Sequence, residues 1–160
     1  MRRSEGTADV QLIECVNPVR DKWRIRWDLQ EKEDGTATFM EAEFQHKPTA
    51  DEIRQTIVGY YNQQTDETIL SGFEYKGSMV WLSTENQFNY KAAYDLAVQT
   101  NGATLPVTFK LGTDDAPTYY TFTTLEEFSG FYMQAMQHIQ NTLANGWAKK
   151  DAIDLSLYDI

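Results

Sequence analysis

From Lys22 to Gln30 the apolar residues Trp23, Ile25, Trp27 and Leu29 alternate with Arg24, Arg26 and Asp28, the period of two that marks a strand with one buried face. Glu33-Asp34-Gly35 supplies a turn. Thr36 to Phe44 then alternates again, with Thr38, Met40, Ala42 and Phe44 on one face and Glu41 and Glu43 on the other. The two segments predict a β-hairpin in which Arg24 and Arg26 meet Glu41 and Glu43 as cross-strand ion partners. The same alternation assigns Trp23 and Trp27 to the core and the two arginines to solvent.

Behind Pro48, Thr49-Ala50-Asp51-Glu52 has the form of a capping box, whose hydroxyl and carboxylate each satisfy a free helix N–H. Ile53, Ile57, Tyr60 and Tyr61 follow at helical spacing, predicting a helix that ends near Asn62. The pattern recurs twice. Phe73 to Lys76 and Ser78 to Leu82 flank Gly77 as a short hairpin, and Ser83-Thr84-Glu85-Asn86 opens a helix with the stripe Tyr90, Tyr94, Ala97 and Val98, closed by Asn101-Gly102. Leu105 to Leu111 and Tyr119 to Phe122 form the third hairpin around Gly112 to Pro117. Thr124-Leu125-Glu126-Glu127 starts the longest helix, with Phe128, Tyr132, Ala135, Met136, Ile139 and Leu143 on one face. Asn145-Gly146 is expected to end or bend it, with a last short helix between Trp147 and Leu157.

Three hairpins, each feeding a helix, predict an α+β fold of ββα units with a predominantly antiparallel sheet and helices packed on it. Ser83-Thr84 and Phe88 align with Thr123-Thr124 and Phe128, but any hairpin feeding a capped helix yields such matches, so they do not establish duplication. The expected division is a flexible lead over residues 1–8, a hairpin-helix module over 9–65 and a second domain over 66–160, or else one compact domain throughout.

Composition narrows the function. The 160 residues carry a net charge of −10, spread evenly along the chain, and 41% hydrophobic with 13% aromatic residues is too rich in core formers for a disordered acidic protein. A chain this acidic lacks the dense Lys/Arg footprint that phosphate-backbone binding requires, so no nucleic-acid partner is expected. No apolar run is long enough for a membrane span, and Arg2-Arg3 precede no apolar segment, so neither a membrane partner nor an export signal is expected. Cys15, the one cysteine, permits no intrachain disulfide and fits a reducing cytoplasm.

Candidate chemistry is thin. Cys15 lies in the apolar stretch Leu12-Ile13-Glu14-Cys15-Val16 and is expected to be a small buried thiol. His46 and His138 belong to no metal-ligand spacing. Asp114-Asp115 sits in a turn where aspartates bond their own backbone, and Asp51-Glu52 and Glu126-Glu127 fall in first helical turns, where negative charge complements the helix dipole. No phosphate-binding glycine loop or nucleophile elbow occurs. The reading is non-enzymatic, with no catalytic, cofactor-binding or metal residues and no cofactor; a hydrolase built from dispersed carboxylates is the competing reading. Trp23-Arg24-Ile25-Arg26-Trp27 resembles a single-strand stacking platform, but alternation separates its rings from its arginines. Phe73, Tyr75, Phe88, Tyr90, Tyr94, Tyr119, Tyr120, Phe131 and Tyr132 exceed what one small core buries, and some are expected at a protein interface.

The segments Asp66 to Phe73, Val80 to Tyr90, Leu105 to Phe109 and Tyr119 to Phe122, with Lys149-Lys150-Asp151 near the end of the last helix, resemble a domain of unknown function. That domain is found in small proteins of tailed bacteriophages and prophages, often encoded among tail and tail-fibre genes. The resemblance covers roughly residues 66 to 155 and supplies no active site. It implies a virion-associated structural protein, a tail, baseplate or fibre-associated adaptor acting by binding other phage structural proteins and forming a homo-oligomer. Such a protein reaches the virion tail after synthesis in the host cytoplasm. The alternative is a cytoplasmic tail-fibre assembly chaperone or scaffold that is not retained in the particle.

Overall fold

The computed structural model describes residues 1–159 as an α+β protein of three α-helices and antiparallel sheets. The strands are β1 (Arg2–Thr7), β2 (Ile13–Asn17), β3 (Lys22–Glu31), β4 (Thr36–Phe44), β5 (Phe73–Tyr75), β6 (Ser78–Val80), β7 (Val107–Gly112) and β8 (Pro117–Phe122). The helices are α1 (Ala50–Ser71), α2 (Thr84–Gln99) and α3 (Leu125–Asp151), with 3-10 turns at Pro18–Arg20 and Leu155–Tyr158. The strands form one four-stranded sheet in the order β1-β4-β3-β2 and two separate hairpins, β5-β6 and β7-β8.

Two compact units divide the chain, the first holding residues 1–61 together with the described residues from Lys149 onward, the second holding residues 62–148. The division therefore falls inside α1 and again inside α3. The end of the chain joins the first unit because Ile153, Leu155 and Tyr158 pack with Ile25, Trp27, Met40, Ile53 and Ile57. Tyr158 also donates a hydrogen bond from its hydroxyl to the Arg26 carbonyl at 2.8 Å.

In the first unit the predicted hairpin forms in register, Arg24 opposite Glu43 and Arg26 opposite Glu41. A flexible lead is not what residues 1–8 become: Arg2 to Thr7 pair with Thr36 to Glu41 as an edge strand, tied down by Arg2 Nε to Glu41 Oε1 at 2.6 Å. The capping box of α1 is complete, with the Thr49 N–H donating to Glu52 Oε2 at 2.8 Å and the Glu52 N–H donating to Thr49 Oγ1 at 3.3 Å. The helix then runs past Asn62 to Ser71, its polar continuation carrying no apolar stripe that would announce it. Gly72, at φ +74°, ends it where a Cβ would overlap the Val80 carbonyl, a place only glycine fits.

In the second unit Ser83 caps α2, its Oγ accepting from the Asn86 N–H at 3.2 Å, and Asn101 and Gly102 close it with positive φ. The core joins Tyr75, Val80 and Leu82 to Tyr90, Phe109, Leu111, Phe122, Phe128 and Phe131. Aromatic edges meet faces throughout it, as between Tyr90 and Phe109 with centroids 4.9 Å apart. Asn145-Gly146 does not end α3, which runs on to Asp151. Gly146 is buried, and a Cβ there would stand 2.3 Å from Thr65 Oγ1, so this glycine admits a close approach to α1.

Candidate functional site

The second face of the four-stranded sheet is an ionic layer. Arg26 is only 5% exposed and Glu41 4%, whereas alternation assigned the arginines to solvent. Arg26 reaches Glu14 with two nitrogens, at 3.0 and 3.1 Å, and Arg24 reaches Glu43 at 2.7 Å. Phe39 shares this face and lies under the Arg26 guanidinium, 5.4 Å from its ring centroid. Hydrogen bonds from Arg24 and then Lys22 hold the Glu43 carboxyl down at about 2. Burial pushes Glu41 up, but bonds from Arg2 and Ser4 together with the charges of Arg24 and Arg2 leave the carboxyl below its ordinary range. Each charged side chain here has an oppositely charged partner within 4 Å, although the Nε–H groups of Arg24 and Arg26 are buried without a hydrogen bond among the described residues, and the layer has the character of a structural network.

The sequence-named groups are scattered. Cys15 is exposed, contrary to the expected buried thiol, because β2 is a sheet edge. His46 Nε2 lies 2.8 Å from Glu52 Oε1, while the His138 ring stacks on Phe73 and contacts the Thr68 carbonyl at 3.1 Å. Asp114 pairs with Lys110 at 3.0 Å, and the turn is bonded by Thr113 Oγ1 instead of by either aspartate. Among the described residues no group of three or more His, Cys, Asp or Glu side chains is placed to hold a metal ion.

One cluster that the sequence did not announce looks reactive. Lys76 Nζ and the Tyr120 hydroxyl both contact Glu127 Oε1, at 2.8 and 2.5 Å, and Lys76 also donates to the Tyr120 oxygen. Glu127 first, and Tyr120 second, raise the Lys76 pKa, so its ammonium is held protonated and unfit as a base or nucleophile. The cluster ties the β5-β6 turn to β8 and α3.

The aromatic surplus resolves into two sets. Tyr75, Tyr90 and Phe131 are core, and Phe73, Tyr94, Tyr120 and Tyr132 pack against it, which leaves Phe88 at 74% and Tyr119 at 68% exposure. Phe88, Ala92 and Leu96 follow one another at i, i+4 and i+8 on α2, so they form an exposed apolar stripe opposite the buried Tyr90 and Ala97. Trp81, half-exposed, stands near the start of this helix: its carbonyl accepts from Asn86 Nδ2 at 3.1 Å and its indole donates to the Gly112 carbonyl at 2.6 Å. Phe88 and Leu96 are the large members of this stripe, at 74% and 50% exposure. Of the stripe that periodicity marked on this helix, Tyr90 and Ala97 are buried and Tyr94 half-buried, whereas Val98 is 44% exposed.

The first unit contains a cleft of about 320 Å³, lined by Leu12, Trp27, Leu29, Ile57, Tyr61 and Tyr158, with Asp28, Lys149 and Asp154 among its polar neighbours. A bulge in β3 between Trp27 and Gln30 forms part of this wall, with Asp28 in the left-handed region at φ +53°. Asp28 accepts from Arg3 and, at 3.2 Å, from the Tyr60 hydroxyl. Burial pushes Tyr61 and Tyr158 up to about 12, so both line the cleft as neutral phenols.

Residues 52–160 match the family model described as Domain of unknown function (DUF4376). The chain belongs to this family. The DUF4376 segment starts within the first turn of α1 and includes α2 with its exposed stripe, while β1 to β4 precede it. It thus begins earlier than the resemblance at residues 66 to 155. No curated protein and no solved structure matches the chain.

Proposed function

We propose that this DUF4376 chain is a non-enzymatic bacteriophage virion-associated structural protein, a tail, baseplate or fibre-associated adaptor that works by binding other virion proteins. The observation that carries the reading is the apolar stripe of Phe88, Ala92 and Leu96 on the outer side of α2, since apolar and aromatic side chains concentrate at the centres of protein contacts. The bacteriophage setting rests on the resemblance of residues 66 to 155 to small tail-region proteins. Synthesis in the host cytoplasm followed by incorporation into the tail is the course this reading implies.

Mass spectrometry of purified particles tests it: the chain is expected at a fixed copy number per tail. Its absence from particles, together with its recovery on a fibre protein from infected cells, would establish instead the cytoplasmic assembly chaperone. At the contact itself, Phe88→Asp is expected to lower recruitment at least tenfold while changing stability by no more than about 0.5 kcal/mol, the range of exposed sites. Undiminished recruitment of that variant removes α2 from the contact. Light scattering on the purified chain reports whether it also self-associates.

A further inference from the structure

We propose that the open edge of β1 is a docking surface for β1 of a second copy of this chain, the two strands pairing antiparallel about Ser4 with Arg3 of each opposite Glu5 of the other. β1 lies at one edge of the four-stranded sheet, so half of its backbone groups face no strand. Which half follows from the ladder. The Ala8 N–H donates to the Gly35 carbonyl at 3.3 Å, continuing the register that sets Gly6 against Ala37 and Ser4 against Phe39. Hydrogen-bonded positions alternate along an antiparallel pair, so the even-numbered residues spend their groups on β4, while Arg3, Glu5 and Thr7 turn theirs to the open edge. At the other edge the Arg26 N–H donates to the Leu12 carbonyl at 2.8 Å, and by the same alternation Ile13 and Cys15 face outward. That edge is guarded: β2 is bulged between Cys15 and Asn17 and runs into Pro18, two devices that discourage strand addition. β1 has neither, and it keeps one regular register from Arg2 to Thr7.

The charges of β1 choose the occupant. Antiparallel addition joins outward residues to outward residues, which leaves few registers. Two copies centred on Arg3 or on Glu5 would set like charges directly opposite each other, whereas centring on Ser4 sets Arg3 of each copy against Glu5 of the other, an opposite-charge pair made twice. Each pair also exchanges two backbone hydrogen bonds. Beside them Arg2 meets Gly6 of the other copy, which has no side chain to oppose it. The charged groups are accessible, with the Arg3 side chain 36% and that of Glu5 75% exposed. Arg3 bonds Thr38, Asp28 and Tyr60 through its two terminal nitrogens, so Nε remains for a carboxylate across the edge. Glu5 meets Lys32 at 3.1 Å, an exposed pair too weak to hold it back. The resulting contact is two-fold, the same patch on both copies. It stands apart from the α2 contact, and either can fail without the other.

The test uses the full chain. In light scattering its mass is expected to rise from one copy to two as the concentration approaches about 1 mM, the weak end of specific association. Over the same range the Arg3 and Glu5 amides should become protected from hydrogen exchange, and those of Ile13 and Cys15 should not. In a Cys15→Ser background, Ser4→Cys should close an intermolecular disulfide on mild oxidation, because directly opposed residues that share no hydrogen bond have Cα atoms about 4.5 Å apart, within disulfide reach. Thr7→Cys in the same background should not, since this register holds its two copies about 20 Å apart. Glu5→Arg and Arg3→Glu should each weaken association about tenfold or more, and mixing the two variants should restore it, every cross-strand pair then being opposite in sign. Should Arg3→Glu fail to fold beside Asp28, the cysteine variants still decide. A mass of one chain throughout, a dimer that Ser4→Cys does not lock, or a Thr7→Cys disulfide that forms as fast each overturns the proposal. So does protection at Ile13 and Cys15 in place of Arg3 and Glu5, association indifferent to Glu5→Arg, or two folded charge variants that stay apart when mixed.

Discussion

A methyl group at position 146 would fall 2.3 Å from Thr65 Oγ1, with the threonine Cβ and Cγ2 each 3.4 Å away, so the β-branched side chain or the helices must shift to admit it. Gly146→Ala is therefore expected to destabilise by about 1–3 kcal/mol, although alanine is the better helix former by about 1 kcal/mol. Combining it with Thr65→Ala removes both clashing atoms and should recover most of the loss, which urea midpoints of the two variants would show. A single variant as stable as the parent would mean that the helices separate at no cost. This residue also shows where the text of the chain stops short. Asn145-Gly146 has the form of a helix stop, yet its glycine serves a neighbour 81 positions earlier in sequence, and no local pattern carries that information. Cys15 misleads for a related reason: its apolar surroundings announce a strand but not that the strand is a sheet edge.

At the level of elements, period-two alternation located β3 and β4 and their register, because one face of that hairpin is apolar and a slip of one residue would invert it. What alternation could not give is the fate of the other face, which depends on β1 and β2 closing around it. There Glu41 stands among Arg2, Arg24 and Arg26, its oxygens 2.6, 3.6 and 3.7 Å from their Nε atoms. Glu41→Gln keeps the shape and removes the charge that faces three guanidinium groups. It is expected to cost about 3 kcal/mol, the low end for stranding buried charge, because Arg2 leaves one side open to water. Arg2→Ala, at an exposed partner, should cost about 1 kcal/mol or less. Equal losses in chemical denaturation would show that the layer is not differentially buried. The capping boxes located helix starts well, but α1 and α3 extend beyond their apolar stripes, since a polar helix needs only packing on one side to persist. The exposed stripe of α2 and the cleft were equally illegible: each depends on what remains uncovered after folding.

For the molecule as a whole, the charge of −10 suggests that acid would relieve repulsion, but the placement of the carboxylates reverses that expectation. Glu43 is held at about 2 by Arg24 and Lys22, and Glu14 is lowered first by its bond from Arg26. Glu41 is lowered as well, and in the second unit Lys76 and then Tyr120 lower Glu127. A carboxyl whose folded pKa is depressed stabilises the fold above its unfolded value and loses that contribution as pH falls towards the folded one. Stability should therefore decline between the ordinary glutamate range near 4.5 and about 2. At the other end the sign is opposite. Tyr61 and Tyr158 are raised from 10 to about 12 by burial, so between those values the unfolded chain releases phenolic protons that the folded chain retains, and stability falls as pH rises. Lys76, raised by Glu127 and Tyr120, adds in the same direction. Urea midpoints measured from pH 2 to 12 should give a plateau with an acid edge below 4.5 and an alkaline edge above 10. Ultraviolet titration at the phenolate band should show phenols that ionise only near 12. Glu43→Gln should flatten part of the acid edge without touching the alkaline one. A midpoint that rises on acidification would mean that overall repulsion, and not the ion pairs of the sheet, governs how this acidic chain responds to pH.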